Sequence, residues 1–310
     1  MTAGHVRNLA HSRTVVATVC PQCSIEAPGD LRFCEECGTR LEAPPVAPPD
    51  CQKCGATPDE IDPDGYCMAC GHRRVASKRD RFERPVSASF AGLTDRGLRH
   101  HRNEDFFTMD KVGDDAHVMV VCDGVSSTLD ADKASEAAAE AAFRSLVQSL
   151  ESGQDTRRTA LMAAISKACA AVTALASSGE SPASTIVAAV ARGGFIDVAW
   201  LGDSRAYWIG PEGPAQQLTE DDSESPDSHA ITKWLGADAP EDQVTSTVRF
   251  EIPGPGSLLL CSDGLWNYLP DPADMVRTGT DAVDIVHTLI DFANGSGGHD
   301  NITAVLLLVA

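Results

Sequence analysis

The chain has 310 residues, 43% of them hydrophobic and 23% charged, enough for one full-sized globular domain and a smaller companion. Its formal net charge of -20 excludes a dedicated nucleic-acid binder, which needs a basic footprint, and suits a protein that gathers carboxylates around metal ions. No run approaches the roughly 20 apolar residues of a membrane span. The opening MTAGHVRNLAHSRTVV lacks the apolar stretch of a secretory signal, so a cytoplasmic location with reduced thiols is expected.

Residues 1–19 carry no pattern and read as a flexible tail. Residues 20–71 hold eight of the 11 cysteines, all in C-x-x-C pairs: Cys20/Cys23, Cys34/Cys37, Cys51/Cys54 and Cys67/Cys70. A two-residue gap lets both sulfurs of a tight turn face one ion, and Gly38, Gly55 and Gly71 directly follow three of the pairs, where the turn needs an unhindered backbone. Two pairs supply the four thiolates of a closed tetrahedral site, so the segment resembles a double zinc ribbon holding two structural Zn²⁺ ions. The plan repeats once, with a proline-rich spacer (Pro44, Pro45, Pro48, Pro49) between the copies. A disulfide framework would need a secreted setting, and a redox pair a thioredoxin-like one; neither has a signal here. Cys122, Cys169 and Cys261 sit in apolar surroundings and read as small core residues.

Residues 72–89 read as a basic linker carrying Arg73, Arg74, Lys78, Arg79, Arg81 and Arg84. It is either solvated or docked on an acidic surface, that of its own domain among the candidates. Residues 90–310 read as one large domain. Strands are predicted at His117–Cys122, Ile186–Ala191, Phe195–Leu201, Ala206–Ile209, Leu258–Cys261 and Ile302–Val309. Helices are predicted at Lys133–Leu150, with Asp130 or Asp132 near its start, at 156–177 and at 281–293. Long helices between groups of strands imply an α+β sandwich.

The informative feature is where the acids fall. Asp123 and Asp263 end apolar strands and precede Gly124 and Gly264, Asp203 follows VAWLG, and Asp300 precedes the last strand. An Asp-Gly at a strand end is usually only a turn. Four such sites, with the pair Glu104–Asp105, would repel one another if they converged, unless a hard cation sat among them.

The order of the segments TDRGLRHHRNED (94–105), VVCDG (120–124), WLGDSRAY (200–207), LLLCSDGLW (258–266) and GGHDNITAV (297–305) resembles the metal-dependent protein phosphatase family, type 2C, in its bacterial form. The resemblance spans most of residues 90–310. It implies a four-layer sandwich of two central antiparallel β-sheets flanked by helices, and hydrolysis of phosphoserine and phosphothreonine in proteins at a centre of two Mn²⁺ or Mg²⁺ ions. In that picture Asp123 bridges both ions, the Gly124 carbonyl adds a ligand, Asp263 and Asp300 complete one shell, and Glu104 and Asp105 hold the second ion's waters. Asp203 with Asp263 would serve a third, weaker ion. A water between the metals would be the nucleophile. Asn301 and Arg205 read as supports, Arg205 through a structural ion pair.

The sequence departs from the family in three places. The usual phosphate-binding Arg is replaced by His100, flanked by Arg99, His101 and Arg102. A histidine can take that role when protonated, or a neighbouring Arg can supply a bidentate fork. After Gly124 stands Val125-Ser126-Ser127, where a His could have protonated the leaving alkoxide, so that proton must come from a metal-bound water, His100 or His101. The polar stretch between Asp222 and Ile231 is short where bacterial relatives carry a longer flap, which implies a more open cleft. These departures motivate an alternative, a catalytically weak scaffold whose ribbons recruit a protein partner. Docking of a protein on the ribbons is the better reading than nucleic acid, because Glu26, Glu35 and Glu36 make the first ribbon acidic.

Overall fold

The computed structural model describes residues 18–20, 22–24, 26–27, 51, 53–60, 66–71, 78–153, 157–177, 179, 181–225 and 230–310. The chain divides into two compact units, 1–76 and 77–310.

In the first unit, β1 (Thr18–Val19) pairs antiparallel with β2 (Glu26–Ala27). Cys51–Cys54 and Cys67–Cys70 form two tight turns. Gly55 N–H donates to the Cys51 carbonyl at 2.7 Å and Gly71 N–H to the Cys67 carbonyl at 2.7 Å. Both glycines have positive φ, 74° and 68°, which explains why C-x-x-C-G is the repeated unit. Cys34 and Cys37 lie outside the described residues.

The second unit contains β3 (Arg81–Ser87), β4 (Phe90–Asp95), β5 (Asp105–Val112), β6 (Ala116–Asp123), α1 (Ala131–Glu151) and α2 (Arg157–Thr173). There follow β7 (Ala183–Ser184), β8 (Ile186–Arg192), β9 (Phe195–Leu201), β10 (Arg205–Ile209), β11 (Gln216–Gln217), β12 (Leu235–Gly236), β13 (Ser246–Glu251) and β14 (Gly256–Cys261). The chain continues through α3 (Asp263–Trp266), α4 (Ala273–Thr278), α5 (Ala282–Gly295) and β15 (Ile302–Val309). Two antiparallel sheets result, ordered β11-β10-β14-β15-β4-β3 and β13-β9-β8-β6-β5.

Strand alternation builds the layers. On β6, Met119 and Val121 face the other sheet, where Leu258, Leu260, Val305 and Leu307 meet them. Val118, Val120 and Cys122 point the other way, onto Ala134, Ala138 and Leu146 of α1 and Leu161 and Ile165 of α2. On the far side, Leu259, Cys261, Ala304 and Leu306 pack under Ile285, Val286, Leu289 and Ile290 of α5. The result is helix, sheet, sheet, helix, the expected four-layer sandwich. Cys122 and Cys261 are buried in it, and burial raises both thiols.

One expectation needs correction. Residues 81–87, read as part of a linker ending at 89, form the edge strand β3, paired with β4. Arg81 pairs with Asp95 at 2.7 Å and Arg84 with Asp110 at 2.6 Å, so these two basic residues dock on their own domain, while Arg73 and Arg74 lie outside the described residues. The strand was hidden because only one side is paired and its residues stay mostly exposed; charge and Pro85 are tolerated there. At the start of α1, Asp130 adopts a left-handed conformation without capping and pairs with Lys133 at 2.9 Å, while Asp132 lies in the first turn.

Candidate active site

Sheet register gathers the carboxylates. Asp105 opens β5 directly opposite Asp123, which closes β6. In the other sheet Arg205 pairs with Cys261 and Cys261 with Ala304, so the turns carrying Asp203, Asp263 and Asp300 emerge at one end. Asp123 stands close enough to Asp105, Asp263, Asp300 and Asp203 for their charges to act on it. Ionised carboxylates so close repel strongly in a buried setting. Burial, reinforced by Asp105, Asp263, Asp300 and Asp203, pushes Asp123 well above the carboxylate range. Asp263 rises likewise, through burial and then Asp300 and Asp203. Asp105 is pushed up to about 7 by burial, against the pull of two hydroxyls.

Those hydroxyls belong to Ser262 and Thr303, each donating to Asp105 Oδ2 at 2.7 Å. The other oxygen, Oδ1, is buried with no hydrogen-bond partner, and so is Asp263 Oδ1. Buried acceptors without donors are costly, and here they share one end of the sandwich with mutually repelling acids. That donor set, all hard oxygen, fits Mn²⁺ or Mg²⁺.

The surroundings are built around backbone. The Asp123 amide donates to Thr185 Oγ1 (3.2 Å), and its carbonyl accepts from Thr185 N–H (2.8 Å) and Ser184 Oγ (2.9 Å). A Cβ on Gly124 would come 2.3 Å from the Ala131 carbonyl, so only glycine lets α1 start this close to the site. Asn301 ties the site loops together, accepting from Glu104 N–H at 2.6 Å and donating to the Arg96 and Arg102 carbonyls at 2.7 and 3.0 Å. Ser126 Oγ donates to Glu104 Oε2 at 2.6 Å.

A cleft of about 510 Å³ adjoins these acids, lined among others by Arg99, His100, His101, Arg102, Glu104 and Ser126. His100 Nε2 is 3.2 Å from Asp300 Oδ1, and Nδ1 is 4.0 Å from Glu104 Oε2. Arg99 is exposed. Arg102 lines the same cleft and pairs with Asp132 at 3.3 Å. Arg205 is held by Asp221 (2.6 Å) and stacked 3.6 Å over Trp266, a structural role rather than a cleft one. Residues 226–229 of the short flap lie outside the described residues.

The sequence reading missed the hydroxyls that cradle Asp105 and Asp123: Ser184, Thr185, Ser262 and Thr303. Their signal was available, since each is a polar residue inside or beside an apolar strand and within two residues of Asp263, Asp300's neighbour Asn301, or the strand facing Asp123.

The ribbon unit holds a second candidate metal site. The Cys51, Cys54, Cys67 and Cys70 sulfurs lie within 4.8 Å of one another, with Cys51–Cys70 at 3.6 Å and Cys54–Cys67 at 3.5 Å. Four thiolates around one ion at about 2.3 Å would have sulfur–sulfur edges of about 3.8 Å, so the cluster has the size of a zinc site. The described cysteines are all free thiols.

Comparison with known proteins agrees with this architecture. A model of the double zinc ribbon matches residues 20–71, and one of protein phosphatase 2C matches residues 97–304. "Serine/threonine phosphatase stp" of Listeria welshimeri is 28% identical over 239 residues, covering 69% of this chain and 93% of that protein. Among solved structures, serine/threonine phosphatase Stp1 of Staphylococcus aureus superposes with a TM-score of 0.62 at 21% identity, covering 74% of this chain and 98% of the other. The PPM Ser-Thr phosphatase MsPP of Mycobacterium smegmatis gives 0.59 at 25% identity, covering 73% and 100%. The sandwich and its acidic end therefore define a protein phosphatase scaffold. The chain belongs to the protein phosphatase 2C family, with a double zinc ribbon ahead of the family domain.

Proposed function

We propose that this protein hydrolyses phosphoserine and phosphothreonine esters in other proteins, using divalent metal. The observation that carries the reading is the cluster of buried Asp105 with half-buried Asp123 and Asp263, whose charges act on one another and in which Asp105 Oδ1 and Asp263 Oδ1 are left unpartnered. Glu104, Asp105, Asp123, Asp263 and Asp300 would hold two Mn²⁺ or Mg²⁺ ions with the Gly124 carbonyl, and Asp203 would help hold a third. Divalent ions held by these residues would supply Lewis acidity for a phosphoryl oxygen and for a water that attacks in line.

The protein's own residues do the rest. Ser262 and Thr303 fix the Asp105 rotamer, and Ser126 fixes that of Glu104. His100, between Asp300 and Glu104, can donate to a phosphate oxygen when protonated. Arg99 offers a guanidinium fork at the cleft mouth, suited to phosphate geometry. Arg102 lines the same cleft, paired with Asp132. Val125 supplies no proton, so His100 or His101 at the cleft is the side-chain source for the leaving alkoxide.

In the ribbons, Cys51, Cys54, Cys67 and Cys70 would hold one structural Zn²⁺, and Cys20, Cys23, Cys34 and Cys37 a second; a protein partner would dock on them. Among the described residues no helix is long and apolar enough to cross a membrane, and we place the protein in the cytoplasm. The scaffold alternative is not favoured, because the full acidic set converges and the matched relatives are named phosphatases.

The test is phosphate release from a phosphothreonine peptide with and without Mn²⁺, wild type beside Asp263→Asn. Mn²⁺-dependent release lost in the variant is expected. No release by folded, zinc-loaded protein would overturn the reading.

A further inference from the structure

One of the basic residues of the segment that reads as a linker ties much of the site's backbone together. Arg79 is the third residue of the catalytic unit, after the unit boundary at Ala76. Its side chain is 16% exposed, low for an arginine on a segment whose sequence reads as linker. Nε donates to the Asn103 carbonyl at 2.9 Å, and Asn103 Nδ2 donates back to the Arg79 carbonyl at 3.1 Å. Nη2 reaches the Asp105 carbonyl (3.3 Å), the Asp132 carbonyl (2.6 Å) and Ser135 Oγ (2.9 Å). Nη1 pairs with Glu136 Oε2 at 2.7 Å, and the guanidinium lies 4.8 Å from the Phe106 ring centre.

These partners fall on two elements. Asp105 and Phe106 start β5, with Asn103 two residues before it, and Asp132, Ser135 and Glu136 are in the first turns of α1. Between them lie Glu104, whose carbonyl accepts from Gly124 N–H at 3.1 Å, and the Gly124–Ala131 approach. The reciprocal bond with Asn103 continues inward. Buried Asn103 donates to Thr94 Oγ1 (2.9 Å), Thr94 bonds Thr303 Oγ1 (2.7 Å), and Thr303 donates to Asp105 Oδ2. A buried guanidinium is costly unless its donors are used; here they are spent on the frame around Glu104 and Asp105.

We infer that Arg79 is a positioning residue for the divalent-metal centre. It clamps the start of β5 to the start of α1, setting where Glu104, Asp105 and Gly124 stand, and its fixed charge lies behind an acidic cluster. It touches neither substrate nor the reacting atoms. A lysine keeps the charge but cannot fork across both elements.

This rests on the metal reading above, and the experiment separates the two. Chelator-treated wild type, Arg79→Ala, Arg79→Lys and the remote core variant Leu146→Ala are titrated with Mn²⁺ by calorimetry, and the Mn²⁺-induced rise in Tm is recorded for each. Both Arg79 variants are expected to bind Mn²⁺ about tenfold or more weakly, as when an outer-shell partner is lost, with a smaller Tm rise. Leu146→Ala should lower Tm and keep wild-type affinity. If Arg79→Ala does not fold, Arg79→Lys carries the test alone. Affinity of a folded Arg79 variant within about twofold of wild type overturns the inference, as does an equal loss in Leu146→Ala. Wild type that takes up no Mn²⁺ overturns this inference and the metal reading together.

Discussion

The two units of this chain solve the problem of clustered metal-binding side chains in opposite ways. Among the described residues of the first unit, the buried ones are cysteines, Cys20, Cys51 and Cys67. The catalytic unit has three apolar clusters and would be held together by them even with its acidic end discharged. In the ribbon a bound metal would take the place of a core; in the phosphatase unit the core is what permits an otherwise repulsive set of acids to be held together. The first site is closed by soft thiolates, and the second is left open for chemistry by hard oxygens.

Breaking each site should therefore have different consequences. The largest effect is expected for Asp123→Asn, which removes the acid at the centre of the cluster. Phosphatase activity should fall by more than about a hundredfold, beyond the loss typical of an outer-shell partner, while metal-free Tm stays at or above wild type because repulsion is relieved. Phosphate release and a thermal melt check both halves. Cys67→Ser, or a zinc-selective chelator, should do the reverse. Since metal binding in such a module is worth about 10–16 kcal/mol and is its folding free energy, residues 51–71 should become protease-sensitive while the melt of the catalytic unit stays put. Limited proteolysis with mass analysis reads this directly.

Leu146→Ala, in the layer under α1, should cost about 2–5 kcal/mol in the catalytic unit and nothing in zinc content, measured by denaturant unfolding and metal analysis. The acids give a pH test. Carboxyls whose folded values are raised favour the folded state when protonated. The stability they contribute is present below the unfolded value and lost as pH rises through the folded one, about 7 for Asp105. Chelated protein should thus melt lower as pH goes from about 4 to 8, and the Tm gain from added Mn²⁺ should grow over the same window. A chelated Tm that rises through that range would break the account of the acids. The smallest effect belongs to Arg84→Ala. Its pair with Asp110 is exposed on both sides, 45% and 41%, and should contribute less than about 1 kcal/mol to denaturant stability.

Much of this was legible in the sequence, and unevenly. Strands buried on both faces, such as β6 and β15, announce themselves as apolar runs, and α1 and α5 by their periodicity. The acids at strand ends were readable because each follows such a run. Strands at sheet edges were not. β13 and β3 are half or wholly exposed, so selection on their outward residues is for water, and their sequences look like loops. β5 alternates properly (Phe107 and Met109 inward), but Asp105, Thr108, Asp110 and Lys111 interrupt its apolar run and mask it. In the site, the ligand-type acids were found while the Ser262, Thr303 and Thr185 cradle and Arg79 were not. Charge at a strand end stands out in one dimension; a hydroxyl's or an arginine's partners are 24 to 198 residues away and exist only after folding.

The edge strand β3 also bears on how the catalytic unit can be cut out for study. Its neighbour β4 is buried along almost its whole length, with Phe90, Ala91 and Leu93 at 0–1% exposure. A fragment trimmed to begin at residue 90 would strip off the charged, proline-bearing guard and leave an apolar strand with open backbone donors and acceptors. Such an edge recruits the same edge of another molecule. Trimming at Ser77 instead keeps the guard, so a soluble catalytic fragment has to carry the very residues that look like dispensable linker.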